Sequence, residues 1–360
     1  MEHTRRAVLG AVGGVGAGTV AGCLGSRADG GATAGDDAGA GDAAVQATFF
    51  VFGDLASAVA GDATSTDLLV PVGQHGHGWE PGPRVRESIR AADLLVHGMS
   101  GFQPWADDIA VDLAADDAGV RTVDASADVD LLAPDEEGDH DHGAEEDHNH
   151  DEHETETDHH NEHETETDHH DEHEGDEDHG HGAGTDPHFW MDPLRVRTAV
   201  GTVREALSSV DPGGADAHEA NAAAFRVELD ALHERIDSTI AEADRDVLLV
   251  AGHNSVRYLG ERYGLHVETL TGLAPDDRPT TRDIERAQAV IAEHDLRHVC
   301  ADPIESQRAA DQLVAETDAE AVLPLTAMPG LTDEWAERDW GYLDVMREVN
   351  VPTLERALRR

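Results

Sequence analysis

The order of apolar segments predicts an α/β protein of two lobes. Each lobe has a parallel four-stranded sheet flanked by helices, and one long helix joins the two. Three observations carry this. Short apolar runs alternate with helical periodicity through the first half of the chain. The same alternation returns in the last third. Between them lies a single long amphipathic stretch.

Residues 48–52, Thr-Phe-Phe-Val-Phe, read as the first strand, and a helix begins over 54–60. Residues 68–70 are the second strand, followed by a loop through His77. Residues 84–92 are helical, 94–97 form the third strand, 105–115 are helical and 121–123 form the fourth strand. After Pro193 the chain is helical to about 209, where Asp211-Pro212-Gly213-Gly214 breaks it. The next helix covers about 215–243. In it Phe225, Leu229, Leu232, Ile236 and Ile240 fall 4, 3, 4 and 4 apart, one helical face. At about 1.5 Å per residue it is roughly 40 Å long, enough to pass from one lobe to the other. Strands then recur at 247–250, 266–270, 298–301 and 321–325. Helices fall at 255–263, 281–293, 306–317 and 341–358.

A chain of 360 residues has room for two real cores. Its formal charge is −51, from 76 acidic and 25 basic residues, and every basic residue is arginine. Setting aside the acids of the histidine-rich tract described below leaves roughly −31, so the globular part is acidic in its own right. Such a surface repels nucleic acid and anionic lipid. It suits concentrated salt, where the Debye length shrinks to about 3 Å at 1 M. The two cysteines, Cys23 and Cys300, sit in unlike surroundings and do not read as a disulfide. Cys300 ends an apolar run and reads as a small core residue.

The N-terminus reads as a processing signal. Thr4-Arg5-Arg6 opens it, an Ala/Val/Gly run follows, and Val20-Ala21-Gly22-Cys23 closes it. The run falls short of the roughly 20 apolar residues a membrane span needs. Paired arginines resemble a twin-arginine export signal, and V-A-G-C resembles a lipobox with Cys23 as the lipidated residue. Residues 24–44 are Gly, Ala, Asp and Ser with almost nothing to bury, which reads as a flexible tether.

Residues 139–181 alternate acids with histidines: His140, His142, His148, His150, His153, His159, His160, His163, His169, His170, His173, His179 and His181. Two near-identical ten-residue units, 150–159 and 160–169, lie inside it. Like charge with nothing to bury predicts disorder, and the histidines predict weak metal capture.

Four further positions are candidates for a discrete metal site. They are His77 in HGWEP, His188 in DPHFWMDP, His253 in AGHNSVRYLGERYGL and Asp302 in ADPIES. Neutral imidazole is the commonest zinc ligand, and a carboxylate can complete a tetrahedral set. His77, His253 and Asp302 follow predicted strands, where ligands collect in parallel sheets. Taken singly, each reads equally as a surface or hydrogen-bonding residue. His75, two residues before His77, is its rival. His97 and His266 read as hydrogen-bonded strand residues. His218, His233, His294 and His298 read as solvated.

Together these motifs resemble the metal-binding solute receptors of ABC transporters, in particular the zinc-uptake group of the helical-backbone metal receptors. H-x-W-E-P at His77 looks like that family's H-x-Y-E-P. Residues 186–193 look like its D-P-H-x-W-x-D-P, and 253–265 like its H-x-x-x-x-Y-x-x-x-Y-G-L. The loop Thr271-Gly272-Leu273-Ala274-Pro275 with Arg278-Pro279-Thr280, and Asp211-Pro212 with Asn221-Ala222, also match. The resemblance covers about 47–358, and a histidine-rich insert at this place is typical of the zinc members. It implies a long rigid backbone helix between the lobes. It selects His77 over His75, and implies His77, His188, His253 and Asp302 as ligands. Glu80, Asp186 and Asp192 are then candidates to orient those ligands, with turn and cap roles as the alternative. Gln103 in GFQPW departs from an expected glutamate, which puts a supporting contact in doubt.

The implied domains are a signal peptide with lipobox (1–23) and a tether (24–46). An N-terminal lobe (47–192) follows, with its disordered loop at 135–184. Then come the helices with the backbone helix (193–244) and a C-terminal lobe (245–360). The implied function is an exported receptor, lipid-anchored at the outer face of the cytoplasmic membrane. It captures Zn2+ and hands it to an ABC permease with its ATPase. It is expected to be a monomer, to meet the membrane only through its lipid and to bind no nucleic acid. Three imidazoles and a carboxylate suit zinc. Manganese prefers more oxygen, and the resemblance suggests a carboxylate in place of His253 in manganese receptors. Other divalent metals, and an extracellular zinc buffer or adhesin, are alternatives. A zinc hydrolase is disfavoured, because no H-E-x-x-H helix and no nucleophile–base pair is present.

Overall fold

Among the described residues, eight strands and eleven α-helices follow one another in an order that splits into two matching halves. The structure, a computed structural model, describes residues 43–62, 64–133, 185–275 and 277–359. In the first half β1 (Ala44–Ala47), β2 (Ser65–Leu68), β3 (Leu94–His97) and β4 (Arg121–Asp124) form a parallel sheet in the order β2-β1-β3-β4. Between them run α1 (Phe50–Ala60), α2 (Pro83–Arg90) and α3 (Pro104–Ala115). In the second half β5 (Val247–Val250), β6 (His266–Thr269), β7 (His298–Ala301) and β8 (Ala321–Pro324) repeat the pattern as β6-β5-β7-β8. Their crossovers are α6 (Arg257–Tyr263), α7 (Thr281–His294) and α8 (Arg308–Glu316). Between the halves stand α4 (Pro193–Val210) and α5 (Ala215–Ala241). The chain closes with α9 (Asp333–Glu337), α10 (Tyr342–Val345) and α11 (Val351–Ala357).

Alternation along the strands sends side chains to two different cores. From β3, Leu94 and Val96 enter a large central cluster, while Leu95 joins Ile89, Trp105 and Ile109 on the outer face. From β5, Leu248 and Val250 enter the same central cluster, while Val247 and Leu249 pack with Ile284, Ile291 and Leu313. Each sheet is thus buried on both faces, as parallel sheets require. The two lobes share one apolar core, to which α5 adds Leu229, Leu232 and Ile236, with Phe225 and Ile240 packed against it. This is the face that periodicity predicted.

The structure differs from the sequence reading at several elements: β2 spans Ser65–Leu68 where the sequence predicts a strand at 68–70, and α9 is not predicted. Residues 48–52 are not a strand. β1 ends at Ala47, Phe49 is the extended residue before α1, and Phe50 and Phe52 lie in that helix. Aromatic and β-branched residues favour strands only as a prior. Here α1 is buried along most of its length in the central core, so it is apolar nearly all round. β1 also takes in residues 44–46, which the sequence assigned to the tether. The last helix runs unbroken over 342–357 but is not α-helical throughout. A π turn spans Met346–Asn350, with the Val351 N–H bonded to the Met346 carbonyl. Pro352 follows at once, and a proline has no N–H to continue the ladder. His218, read as solvated, is fully buried in the first turns of α5. No helix among the described residues is long and apolar enough to cross a membrane.

Candidate metal centre

Loops at the carboxyl ends of both sheets meet at one seam. The loop after β2 is tied across the lobes, with the Gly73 N–H bonded to the Leu331 carbonyl (2.7 Å) and the Gly76 N–H to the Pro329 carbonyl (2.6 Å). A short 3-10 turn, Phe189–Met191, precedes α4. It is held from the second lobe, for Trp190 Nε1 donates to the Ala327 carbonyl (2.7 Å) and the Tyr342 hydroxyl to the Trp190 carbonyl (2.8 Å). A cleft of about 890 Å3 opens at this seam, with His75, His77, His253 and Glu305 on its walls.

Three of the four residues singled out in the sequence come together here. The ring centroid of His188 lies 5.5 Å from that of His77 and 5.3 Å from that of His253, and the His77 and His253 rings are 6.3 Å apart. Nε2 of His188 and Nε2 of His253 face each other at 3.4 Å. The far nitrogen of each ring is held by an acid. Asp186 Oδ1 lies 2.9 Å from His188 Nδ1 and also accepts the His188 backbone N–H (3.0 Å). Glu305 Oε1 lies 3.1 Å from His253 Nδ1. His77 instead stands edge-on to Phe49 and Phe102, with centroids 5.6 and 4.7 Å away.

Burial keeps His77 and His188 neutral. It holds His77 well below the usual histidine range, helped by His188, His75 and His253 nearby. Burial also lowers His188, against the opposing pull of Asp186. A neutral ring is the state a metal needs.

Asp302 follows β7 and is placed differently. It is buried, and both its oxygens are engaged. Oδ1 accepts the Ile304 N–H (2.9 Å), and Oδ2 accepts the Thr326 hydroxyl (2.6 Å) and the Ala327 N–H (3.2 Å). Burial pushes its carboxyl up to about 6 despite those bonds. The acid of this loop that faces the cleft is Glu305, which sequence reasoning did not single out. Burial works to raise its carboxyl, but the imidazoles of His253 and His75 outweigh that and hold it down at about 2. His75 Nε2 lies 3.7 Å from the same Oε1. Among the described residues no three His, Cys, Asp or Glu side chains are gathered into a closed coordination set.

The three residues considered as orienting groups separate. Asp186 bonds His188. Asp192 caps α4 through the Leu194 N–H (2.9 Å) and pairs with Arg195 (2.8 Å) and Arg262 (2.6 Å), so its carboxylate serves the helix start. Glu80 is exposed. Gln103, the departure from the expected glutamate, is buried, and its Nε2 donates to the carbonyls of Gly76 (2.9 Å) and Thr48 (3.1 Å). It therefore fastens the loop between His75 and His77. His233 bonds the Tyr263 hydroxyl (3.0 Å) and His97 the Gly98 carbonyl (2.7 Å). The histidines of the tract 139–181, and Cys23, lie outside the described residues. Cys300 is a buried core residue whose thiol burial pushes up to about 12.

The family model of the periplasmic component A of zinc-uptake complexes matches residues 45–357. The zinc-binding lipoprotein AdcA of Streptococcus pneumoniae is 27% identical over 312 residues, covering 86% of this chain and 54% of that protein. The chain thus spans about half the length of that relative. The high-affinity zinc uptake system protein ZnuA of Bacillus subtilis is 26% identical over 314 residues, covering 87% of each. Among solved structures, the Zn(II)-bound ZnuA-like domain of pneumococcal AdcA superposes with a TM-score of 0.66 at 22% identity, covering 89% of this chain and 100% of that domain. The laminin-binding protein Lmb of Streptococcus agalactiae superposes with a TM-score of 0.68 at 20% identity, covering 89% of this chain and 100% of that one. At these identities the structures speak for the fold.

Proposed function

The chain belongs to the family of the periplasmic component A of zinc-uptake complexes, and from that premise we propose that it captures Zn2+ outside the cytoplasm and delivers it to an ABC-type permease with its ATPase. The observation that carries this reading is the pair of facing nitrogens, His188 Nε2 and His253 Nε2, 3.4 Å apart. Two nitrogens on one tetrahedral zinc, each about 2.0–2.1 Å from it, lie about 3.3–3.4 Å apart. The spacing of the pair is that of two ligands. His77 supplies the third nitrogen. Asp302 is the proposed fourth donor. A carboxylate has about four acceptor positions, and three donors leave it one for the ion.

The reading is of a receptor, not an enzyme. Its ligands come from both lobes at an open cleft, which suits capture and release. Lipidation at Cys23, export, a monomeric state and weak capture by the histidine tract belong to the same proposal. Equilibrium dialysis with metal analysis tests it. We expect one tight zinc per chain in protein lacking residues 139–181. Absence of tight stoichiometric zinc there rejects the reading.

A further inference from the structure

We infer that Glu305 is a positioning residue for the metal centre: its carboxylate accepts a hydrogen bond from the Nδ1–H of His253 and so leaves the Nε2 lone pair turned toward His188. The inference rests on the zinc reading for its consequence but on geometry for its content. His188 and His253 are arranged alike. Each ring has an acid on Nδ1, Asp186 at 2.9 Å and Glu305 at 3.1 Å, and the two Nε2 atoms face one another. A neutral imidazole has one donor and one acceptor nitrogen, and the bond made by one nitrogen decides the state of the other. An ionised carboxylate only accepts, so the nitrogen that meets it carries the proton. Both ligands are thereby held in the tautomer that can bind a cation through Nε2. Partners of this kind orient the ring and raise its basicity.

The loop is built to hold Glu305 in place. The Glu305 N–H bonds the Asp302 carbonyl (3.1 Å). Gln307 Nε2 then clasps both the Asp302 carbonyl (2.7 Å) and the Glu305 carbonyl (3.0 Å). Asp302 anchors the same loop to Thr326 and Ala327. Space is reserved on the facing backbone as well. A Cβ on Gly252, the residue before His253, would stand 3.0 Å from Glu305 Oε2. Glu305 also differs from Asp186 in being partly open to the cleft, with 21% of its side chain exposed. His75, itself 29% exposed, is the second imidazole that reaches for it. The acid is thus the link between the cleft mouth and the buried pair.

The test uses Glu305→Ala, Glu305→Gln and Gly252→Ala in the full chain. In the metal-free protein, long-range 1H–15N correlation reads which ring nitrogen of His253 is protonated. We expect the Nδ1–H form in the native protein and in Glu305→Gln, whose amide oxygen still accepts, and a mixed population in Glu305→Ala. Competition with a chromophoric chelator should show zinc affinity about 10–100-fold weaker in Glu305→Ala, the usual cost of removing such a partner, and partly restored in Glu305→Gln. Gly252→Ala should fall between. The visible spectrum of bound Co2+ should keep its band positions in all three variants. An unchanged His253 tautomer or unchanged affinity in Glu305→Ala overturns the inference, and so does a shifted Co2+ spectrum, which would make Glu305 a ligand. Failure of the native protein to bind zinc would reject the receptor reading, while the tautomer measurement would still decide the role of Glu305.

Discussion

In the proposed site, His188 and His253 are fitted to be ligands by their surroundings. Burial keeps the first neutral, and an acid on Nδ1 points each Nε2 at the same place. Removing either imidazole leaves a gap that only water can fill. We therefore expect His188→Ala and His253→Ala each to weaken zinc binding by more than the roughly 10–100-fold typical of losing an outer partner. His233→Ala should leave affinity unchanged, because that ring is bonded to Tyr263 instead. Isothermal titration against a competing chelator measures all three. Equal losses in the three variants would show that the site is misassigned.

Two element-scale predictions concern the start of α5 and its contact with α1. Gly61 ends α1 at φ 60 and ψ −137, a region nearly closed to other residues. A Cβ there would stand 2.6 Å from Asn221 Nδ2, which itself donates to the Val59 carbonyl (3.1 Å). Gly61→Ala should cost about 1–3 kcal/mol in urea unfolding. Adding Asn221→Ala should cost less than the sum, since the clash and the bond share one side chain.

The second prediction concerns His218. It is buried beneath the turn at Asp211, whose Oδ2 lies 3.7 Å from His218 Nε2. Burial lowers its pKa, and Asp211 only partly offsets this. A histidine lowered in the folded state binds its proton more readily when unfolded. Its contribution to stability is complete above the unfolded value of about 6.5 and is lost as pH falls from there through the folded value. The melting temperature should therefore drop on going from pH 7.5 to 5.5, and drop less in His218→Gln. An identical pH slope in both proteins would remove His218 from the account.

At the scale of the whole molecule, the two lobes share one apolar core, so the cleft is framed by packed walls. The chain on either side of the histidine tract is also joined within that frame. The Asp186 N–H bonds the Leu132 carbonyl (3.2 Å), and the Tyr258 hydroxyl accepts from the Leu132 N–H (2.8 Å) while donating to the Asp186 carbonyl (2.7 Å). The two ends are neighbours, and a short linker can close the gap at small entropic cost. Deleting residues 139–181 should leave the melting temperature and the tight zinc site in place. It should remove several weaker zinc equivalents, since tethered weak ligands raise local metal concentration. Calorimetric titration of full and shortened protein decides this. Identical total stoichiometry would mean that the tract captures no metal.

The sequence by itself determined the second sheet, the long helix and part of the first sheet, and with the family resemblance it singled out three histidines that lie together. Those features are written in local signals. Period-2 and period-3.6 patterns mark the elements, and the proline-punctuated motifs of His77 and His188 mark positions whatever folds around them. What only the tertiary structure decided depends on burial and on residues far apart in the chain. Phe50-Val51-Phe52 is helix because α1 lies within the central core, where a segment apolar on nearly every side can be buried as a helix. His218 is buried because α4, α5 and their turn fold over it, a fact its polar neighbours in sequence do not carry. Asp302 and Glu305 sit three residues apart in one motif, and both are acids. Which of them faces the histidines was settled by the turn between them. It sends Asp302 to Thr326 and Glu305 to His253, and no periodicity records that choice.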